Sequence, residues 1–315
     1  MKMTHLLDIK DLQVTFPNRH GDLRVLDGVS LHLGRGEILG IIGESGAGKS
    51  MTGNAVMGLL EPPGKITAGE ILFDGKPIIG KAAALRGKHI SMIFQDPLTS
   101  LNPLKRVGDL LTETMRTHLD ITKSEAVARA RKSFEEVGLD SSRLDAYPHE
   151  FSGGMRQRVV IALALAGEPE LLIADEPTTA LDVSVQAQIL DLIRSLCEKR
   201  GLGVMLITHD IGVIANACDR VAVFYAGRPV EIADVNELLA HPKHPYSEGL
   251  IASMPRIDAD SRHEMLRQIE GSMPALNKLP KGCAFAPRCH KVMDKCHQEK
   301  PVMQADRAAC WLGET

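Results

Sequence analysis

A glycine-rich segment, GESGAGKS at residues 43–50, has the residue types and spacing to bind phosphate. It fits the pattern G-x-x-x-x-G-K-[ST], in which small residues let backbone N–H groups converge on phosphate oxygens at the start of a helix. In that pattern Lys49 reaches the β- and γ-phosphates, and the Ser50 hydroxyl binds magnesium. We therefore predict a nucleotide-phosphate site formed by Gly43, Glu44, Ser45, Gly46, Ala47, Gly48, Lys49, Ser50 and Met51.

Two adjacent acids, Asp175 and Glu176, follow the apolar run LLIA at residues 171–174. An aspartate at the end of a strand can hold magnesium through water. The next glutamate is then placed to orient or deprotonate the water that attacks a γ-phosphate. Two acids after a strand usually begin a solvated loop. Together with the phosphate-binding loop, they are instead interpreted as a magnesium ligand and a catalytic carboxylate.

These residues need a scaffold that brings the ends of several strands together. Four apolar runs predict buried strands, namely ILGIIG at 38–43, ISMIFQ at 90–95, ELLIADE at 170–176 and VMLITHD at 204–210. Such runs suit a parallel sheet that is covered on both faces. Residues 9–16 alternate like a further strand, and residues 220–234 predict a hairpin with Ala226 and Gly227 at its turn.

A helical insertion is predicted at about residues 104–165, between the second and third buried strands. Thr122 and Glu125 have the spacing of a capping box at the start of a helix. In that helix we expect one apolar face, formed by Val127, Ala130, Phe134 and Val137.

With these motifs placed, residues 1–255 resemble the ATPase subunit of an ATP-binding cassette (ABC) transporter, motif after motif in the order of that family. The resemblance implies an α/β fold, with a P-loop NTPase (RecA-like) core, a helical subdomain, an N-terminal antiparallel β subdomain and a small cysteine-containing C-terminal extension. Gln95 matches the Q-loop glutamine, which senses magnesium and the γ-phosphate and contacts the permease. His209 matches the switch histidine, Asp182 the D-loop aspartate, and Phe16 the aromatic residue that stacks on adenine.

The resemblance thus implies ATP hydrolysis with Mg²⁺. The catalytic residues that it implies are Glu176, His209, Gln95 and Lys49, and the residues that bind Mg²⁺ are Ser50, Gln95 and Asp175. A regulatory binding module without hydrolysis would be expected to lack the catalytic acid, so the presence of Glu176 and His209 argues against it.

The segment FSGGM at residues 151–155 resembles the family's signature motif, usually written LSGGQ. Ser152, Gly153 and Gly154 precede a predicted helix, whose N-terminus offers N–H groups and a hydroxyl to an anion. The P-loop already supplies one anion site. The resemblance implies that this second site faces the γ-phosphate of the partner subunit's ATP, so that two ATPase subunits pack head to tail around two nucleotides.

Three further segments resemble one branch of the family, the ATPases of di- and oligopeptide importers, which also includes nickel and opine systems. They are QDPLTSLNP at 95–103, YPHE at 147–150 and HPYSEGL at 244–250. The resemblance implies peptide uptake powered at the cytoplasmic face of the inner membrane. The partners that it implies are two permease subunits, a second and different ATPase subunit, and an extracytoplasmic substrate-binding protein. Import of nickel or opines by the same machinery is the alternative.

Composition indicates a globular protein that reaches the membrane only through a partner. The chain is 44% hydrophobic and 24% charged, and its net charge of −3 gives no basic excess for nucleic acid. Its longest apolar stretch, residues 159–166, is far shorter than the roughly 20 residues of a membrane span, and the N-terminus lacks a secretory signal. A cassette protein acting on DNA or ribosomes would show a long coiled-coil insertion or two cassettes, and the sequence has neither.

The last part of the chain, residues 256–315, is rich in Pro, Lys and Cys and is predicted to form the separate extension. Its four cysteines are Cys283, Cys289, Cys296 and Cys310, with five, six and thirteen residues between them. Four thiols suit zinc or an iron–sulfur cluster, and these wide spacings favour the cluster. Some members of the importer branch are associated with a [4Fe–4S] cluster. A structural cap of reduced thiols is the third interpretation, and disulfides are not expected in an unexported chain.

Overall fold

The computed structural model describes residues 5–19, 21–96, 100–179, 181–254, 269–304 and 308–314. Its strands are β1 (Leu7–Phe16), β2 (Leu23–Leu33), β3 (Ile38–Ile42), β4 (Lys65–Phe73), β5 (Lys76–Pro77), β6 (Ile90–Ile93), β7 (Leu171–Asp175), β8 (Gly203–Thr208), β9 (Arg220–Tyr225) and β10 (Arg228–Asp234). Its α-helices are α1 (Lys49–Met57), α2 (Val107–His118), α3 (Lys123–Glu136), α4 (Gly153–Ala164), α5 (Val183–Arg200), α6 (Ile211–Ala217), α7 (Val235–Ala240), α8 (Pro245–Ala252) and α9 (Asp294–Gln298).

A six-stranded sheet in the order β10-β9-β3-β8-β7-β6 forms the centre of the fold. Its strands are parallel except for β10, which pairs antiparallel with β9 through the predicted hairpin. Every residue of β3, β6, β7 and β8 is buried. Residues of β3 contribute to two different cores. Ile38 and Ile42 lie in one core, and Leu39 and Ile41 lie in the other. The predicted parallel sheet, buried on both faces, is therefore confirmed.

A second sheet, antiparallel and in the order β2-β1-β4-β5, comes from the N-terminal part of the chain. Its apolar face, which includes Leu12 and Leu26, packs in the same core as Leu39 and Ile41. The predicted N-terminal antiparallel subdomain is confirmed, although β1 begins at Leu7 rather than at residue 9.

The predicted helical insertion is present as α2, α3 and α4. Helix α3 begins where the capping signal indicates, because the Thr122 hydroxyl accepts a hydrogen bond from the Glu125 N–H at 3.3 Å. The Glu125 carboxylate accepts from Arg129 one turn later, at 2.9 Å.

The apolar face of α3 differs from the prediction by one residue. Ala130, Phe134 and Val137 are buried as expected, but Val127 is 37% exposed and Ala126 is buried in its place. At 3.6 residues per turn, Ala126 and Val127 both lie on the same side of the helix as Ala130 and Phe134, but Val127 lies at the margin of that side and Ala126 nearer its centre. The prediction for Val127 was wrong because the core does not cover that margin.

Several strands end earlier than the apolar runs predict. Strand β6 ends at Ile93, and Phe94 is 47% exposed because the chain has already left the buried sheet, so the prediction that Gln95 ends the strand was wrong. Strand β7 ends at Asp175 and β8 ends before His209. The polar residues therefore lie in loops just beyond the strands, at one edge of the sheet.

The C-terminal segment packs against the sheet. The Phe285 ring lies 5.2 Å from that of Tyr225 and 5.4 Å from that of Tyr246, and Ala308 forms a bridge with Glu231 in β10. Residues 255–268 lie outside the described residues, so the predicted boundary near residue 255 stays a prediction. None of the helices in the described ranges has the length and apolar character to span a membrane.

Candidate active site

The phosphate-binding loop connects β3 to α1, as the motif requires. Gly48 is the N-cap residue of α1, and Lys49 begins the helix. A Cβ atom at Gly43 would collide with the carbonyl oxygen of Phe224 in β9, and one at Gly48, where φ is 100°, would lie 2.8 Å from Leu26. The loop can therefore follow this path only with glycine at both positions.

Lys49 is 6% exposed, and its ammonium donates to the carbonyl oxygens of Gly43 at 2.8 Å and Glu44 at 3.0 Å. Burial lowers the pKa of Lys49, and the carboxylates of Glu176 and Asp175 oppose this effect. Carbonyl oxygens do not neutralise a cation, so this ammonium is suited to the anionic oxygens of a phosphate.

The Ser50 hydroxyl donates to the Asp175 carboxylate at 3.0 Å, which joins the first turn of α1 to the end of β7. Burial raises the pKa of Asp175, and the Ser50 hydrogen bond opposes the increase. A hydroxyl and a carboxylate side by side are the oxygen ligands that Mg²⁺ uses next to phosphates. The pair fits the predicted magnesium site, whereas the amide nitrogen of Gln95 donates to Glu176 instead.

Glu176 is the meeting point of the predicted catalytic residues. Its carboxylate accepts from the Gln95 amide at 2.9 Å and lies 2.9 Å from Nδ1 of His209. Its backbone is left-handed, with φ at 48°. The Thr179 hydroxyl also donates to this carboxylate at 2.9 Å, a contact that sequence reasoning missed. The only indication of Thr179 in the sequence is its position three residues after Glu176.

Burial acts to raise the pKa of Glu176, but hydrogen bonds from His209 and Thr179 outweigh it, so the pKa lies below its ordinary value. The carboxylate is consequently ionised at neutral pH and can accept a proton or orient a water molecule.

The signature residues lie at the start of α4, as predicted. The Ser152 hydroxyl caps the helix by accepting from the Met155 N–H at 3.4 Å, and Gly153 and Gly154 form its first turn. A Cβ at Gly153 would lie 3.6 Å from Leu181, beside Asp182, which caps α5 through the Val185 N–H at 2.9 Å. The signature segment and the D-loop are thus neighbours, and both are far from the P-loop in the sequence.

Phe16 is the last residue of β1 and is half-buried. Its ring packs against Gly64, where a Cβ would collide with it. Its predicted stacking on adenine stays a prediction.

The four cysteines of the extension, Cys283, Cys289, Cys296 and Cys310, line one cavity of about 10 Å³, the space of about one water molecule. Burial raises the pKa of Cys283 to about 11. Among the described residues, no group of three or more His, Cys, Asp or Glu is arranged to hold a metal ion. The six cysteines of the chain form no disulfide. The four cysteines are therefore neighbours around one small cavity, but in this arrangement they do not form a metal site.

The HPY segment, noted in the sequence only as a mark of the branch, lies against the P-loop. His244, 2% exposed, caps α8 by accepting from the Tyr246 N–H at 3.0 Å. The buried Tyr246 hydroxyl in turn accepts from the Glu44 N–H at 3.0 Å. Burial lowers the pKa of His244 to about 4, which keeps the imidazole neutral and able to cap the helix.

We predict that acid destabilises the protein through His244. In the unfolded chain this histidine takes up a proton near its ordinary pKa of 6.5, whereas in the folded protein it stays neutral down to about 4. The unfolded state binds more protons over that interval, so stability falls as the pH decreases. The loss reaches about 2 kcal/mol between about pH 7.5 and pH 5.

Denaturant unfolding of the wild type and of His244→Asn across this pH range measures the effect. Asparagine retains an N-cap acceptor without a titrating group, so the stability of this variant should depend less on pH, by about 2 kcal/mol. The control His290→Asn removes a histidine that is 64% exposed and should behave like the wild type. Equal pH dependence in His244→Asn and the wild type would contradict the prediction.

Two protein families match different parts of the chain. The ABC transporter family matches residues 26–179, which include the P-loop, Asp175 and Glu176. A family described as the C-terminal region of oligopeptide/dipeptide transporters matches residues 230–296, which include His244 and Tyr246.

Solved structures share the fold. CbiO1 of Clostridium perfringens, part of the ABC transporter complex cbiONQ, superposes with a TM-score of 0.66 and 29% identity, over 76% of this chain and 92% of its own. The ATP-binding cassette MJ0796, in a dimeric post-hydrolysis state with ADP and Pi, superposes with a TM-score of 0.65 and 28% identity, over 73% of this chain and 98% of its own.

Full-length relatives are more similar in sequence. The oligopeptide transport ATP-binding protein OppD of Bacillus subtilis is 49% identical over 96% of this chain and 86% of its own length. OppD of Escherichia coli is 47% identical over 94% of this chain and 89% of its own length. The dipeptide transport ATP-binding protein DppD of Bacillus subtilis is 45% identical over 97% of this chain and 94% of its own length. Because relatives this similar match nearly the whole chain, it belongs to the ABC transporter ATP-binding proteins, in the oligopeptide and dipeptide transport branch, and hydrolyses ATP with Mg²⁺.

Proposed function

We propose that this ATPase powers the uptake of di- or oligopeptides, acting at the cytoplasmic face of the membrane beneath two permease subunits. A second, different ATPase subunit and an extracytoplasmic substrate-binding protein complete the system. The family match at residues 230–296 and the names of the full-length relatives support the peptide cargo.

One observation carries the catalytic part of the proposal: Gln95, Thr179 and His209 all contact the Glu176 carboxylate, at the edge of the sheet where Ser50 meets Asp175. Glu176 is ionised and fixed by these contacts. It can therefore orient the attacking water and take up its proton without reorganising.

In the proposed mechanism the P-loop N–H groups and Lys49 bind the phosphates of ATP, and Phe16 stacks on the adenine. Ser50 and Asp175 would hold Mg²⁺, which would neutralise charge on the phosphates of ATP. Glu176 positions the water in line with the γ-phosphate. His209 contacts Oε1 of that carboxylate, whereas Gln95 and Thr179 contact Oε2, and these contacts fix its orientation.

A second ATPase subunit completes each site in this proposal. Ser152, Gly153 and Gly154 would bind the γ-phosphate held by the partner's P-loop, with Asp182 beside them. The exposed helix N-terminus at Ser152 supports this role, since such an end attracts anions.

We predict that Glu176→Gln lowers ATP turnover by about 10²- to 10⁴-fold, the usual contribution of a general base. Its affinity for MgATP should stay within about twofold, because the carboxylate acts on water rather than on the nucleotide. Steady-state phosphate release and equilibrium nucleotide binding measure the two effects. Glu168→Gln, which removes a surface carboxylate paired with Arg129, is the matched control. Turnover within a few-fold of the wild type would refute the assignment of Glu176.

The same variants test the cargo. Cells that depend on the wild type or on Glu168→Gln should accumulate a labelled tripeptide, and cells with Glu176→Gln should not. If the wild type supports accumulation of nickel or an opine but not of the peptide, the ATPase assignment stands and the peptide cargo is wrong.

For the shared site we predict that Gly153→Asp abolishes most ATPase activity while the isolated monomer still binds ATP. The new carboxylate would face the partner's γ-phosphate, and like charges repel. Gly154→Asp is a poorer test because a Cβ there would lie 2.5 Å from Val185 of its own subunit, whereas Gly153 has room. Gly153→Asn, nearly equal in size and uncharged, should retain more activity. Loss of ATP binding by the monomer would contradict the geometry between subunits.

We also propose that Cys283, Cys289, Cys296 and Cys310 are the ligands of a [4Fe–4S] cluster, with no redox role in ATP hydrolysis. Their number, and the single small cavity that all four line, support this assignment. The arrangement described above does not form a metal site, so the thiols would have to rearrange to admit the cluster.

Protein purified without oxygen should contain about four iron and four sulfide per chain, and Cys289→Ser should lose them. Cys218→Ala, which removes a buried thiol from another part of the fold, should retain them. About one equivalent of zinc per chain would indicate a zinc site. A metal content well below one equivalent would indicate a structural cap of reduced thiols. Either result would refute the cluster.

A further inference from the structure

The C-terminal extension contacts the P-loop directly, through a charged pair. The Arg288 guanidinium donates from Nη1 to both carboxylate oxygens of Glu44, at 2.9 and 3.1 Å. Glu44 is the second residue of the P-loop. The Arg288 side chain is 7% exposed and that of Glu44 is 29% exposed, so the pair is largely shielded from solvent.

Arg288 is held in place from the extension side. Its Nε donates to the carbonyl oxygen of Glu270 at 2.9 Å, and its Nη2 donates to that of Gly271 at 3.2 Å. The guanidinium also lies 5.8 Å from the ring centre of Tyr225 and 5.9 Å from that of Phe285. A guanidinium fixed by so many partners presents its remaining N–H groups in one direction.

Each polar group of Glu44 has a hydrogen-bond partner. Its N–H donates to the Tyr246 hydroxyl at 3.0 Å, its carbonyl oxygen accepts from Lys49 at 3.0 Å, and its carboxylate binds Arg288. Lys49 is the lysine that reaches the phosphates. A displacement of Glu44 would therefore move a hydrogen-bond partner of that lysine.

Apolar contacts attach the extension in addition to this ion pair. The ring of Phe285 already packs against Tyr225 and Tyr246, and apolar contacts of this kind supply the adhesion. Replacing a buried ion pair by apolar residues often leaves stability unchanged or raises it, so the pair is better explained by the geometry that it imposes.

We propose that Arg288 is a positioning residue for nucleotide binding, which acts through Glu44 to hold the first turn of the P-loop and the resting position of Lys49. It does not touch the nucleotide. The proposal rests on the proposed ATP site and extends it to the C-terminal segment, which becomes part of the machinery that shapes the P-loop.

The test is a double-mutant cycle on the full-length protein, with MgATP affinity, kcat and Tm measured for each variant. We expect Arg288→Gln and Glu44→Gln each to weaken MgATP binding roughly tenfold, about the effect of losing one well-placed polar contact. The double variant should be no weaker than either single one, because both remove the same contact. The kcat of Arg288→Gln at saturating ATP should stay within about twofold, since Glu176 and its partners are untouched.

Two further variants separate positioning from simple stability. Arg288→Lys keeps the charge but loses the guanidinium that contacts Glu44 through Nη1 while Nε and Nη2 donate to the extension, so it should recover only part of the affinity. Lys291→Gln removes a neighbouring cation of the extension that pairs with Glu248, and its affinity should equal that of the wild type. If Arg288→Gln does not fold, Glu44→Gln, a nearly isosteric change on the P-loop side, still tests the contact.

The proposal is overturned if the folded variants bind MgATP like the wild type, or if the two substitutions act additively. A wild type that fails to bind MgATP would overturn both this proposal and the proposed ATP site. Normal MgATP binding by the wild type without peptide uptake would overturn only the peptide cargo. A lower Tm in Arg288→Gln with unchanged affinity would mean that the pair merely attaches the extension.

Discussion

The path of the P-loop across its neighbours is the constraint on which the rest of the structure depends. The loop runs so close to β9 that a side chain at Gly43 has no space, and the Ala47 carbonyl accepts from the Gly227 N–H of the β9–β10 turn at 2.9 Å. The phosphate-binding backbone is thus fixed by the hairpin on one side and by the antiparallel sheet at Leu26 on the other. A displacement of either sheet would alter the curvature of the loop, and with it the directions of its N–H groups.

The parallel sheet brings together residues that are far apart in the sequence. The carboxyl ends of β3, β6, β7 and β8 meet at one edge, where the segments that follow them carry Lys49, Gln95, Glu176 and His209. The polar side chains of the site thus come from segments next to strands that are buried throughout. The left-handed backbone at Glu176 turns the chain away directly after β7, which is how two adjacent acids take different roles, one buried against Ser50 and one among hydrogen-bond donors.

Much of this arrangement could be predicted from the sequence, because the P-loop, the acids and the buried strands depend on local pattern. Sequence reasoning failed where a contact depends on residues that no period connects. Val127 lies at the margin of the apolar side of its helix, and the helical period does not determine whether neighbouring elements cover that margin. Thr179 contacts Glu176 only because the chain turns back on itself after β7. The pairing of Arg288 with Glu44 joins residues far apart in the sequence, and neither residue is distinctive on its own.

The strand order also determines when during synthesis the ATP site can exist. Strand β3, which leads into the P-loop, is made early, but its two neighbours in the sheet begin only at Gly203 and Arg220. Until those segments leave the ribosome, a fully apolar strand has neither of its native neighbours and both of its edges are open, the condition in which nascent chains aggregate. Non-local parallel pairing of this kind is slow to form. An N-terminal fragment that contains every residue of the P-loop therefore lacks the strands β8 and β9 that border β3, and with them the sheet that gives the loop its shape.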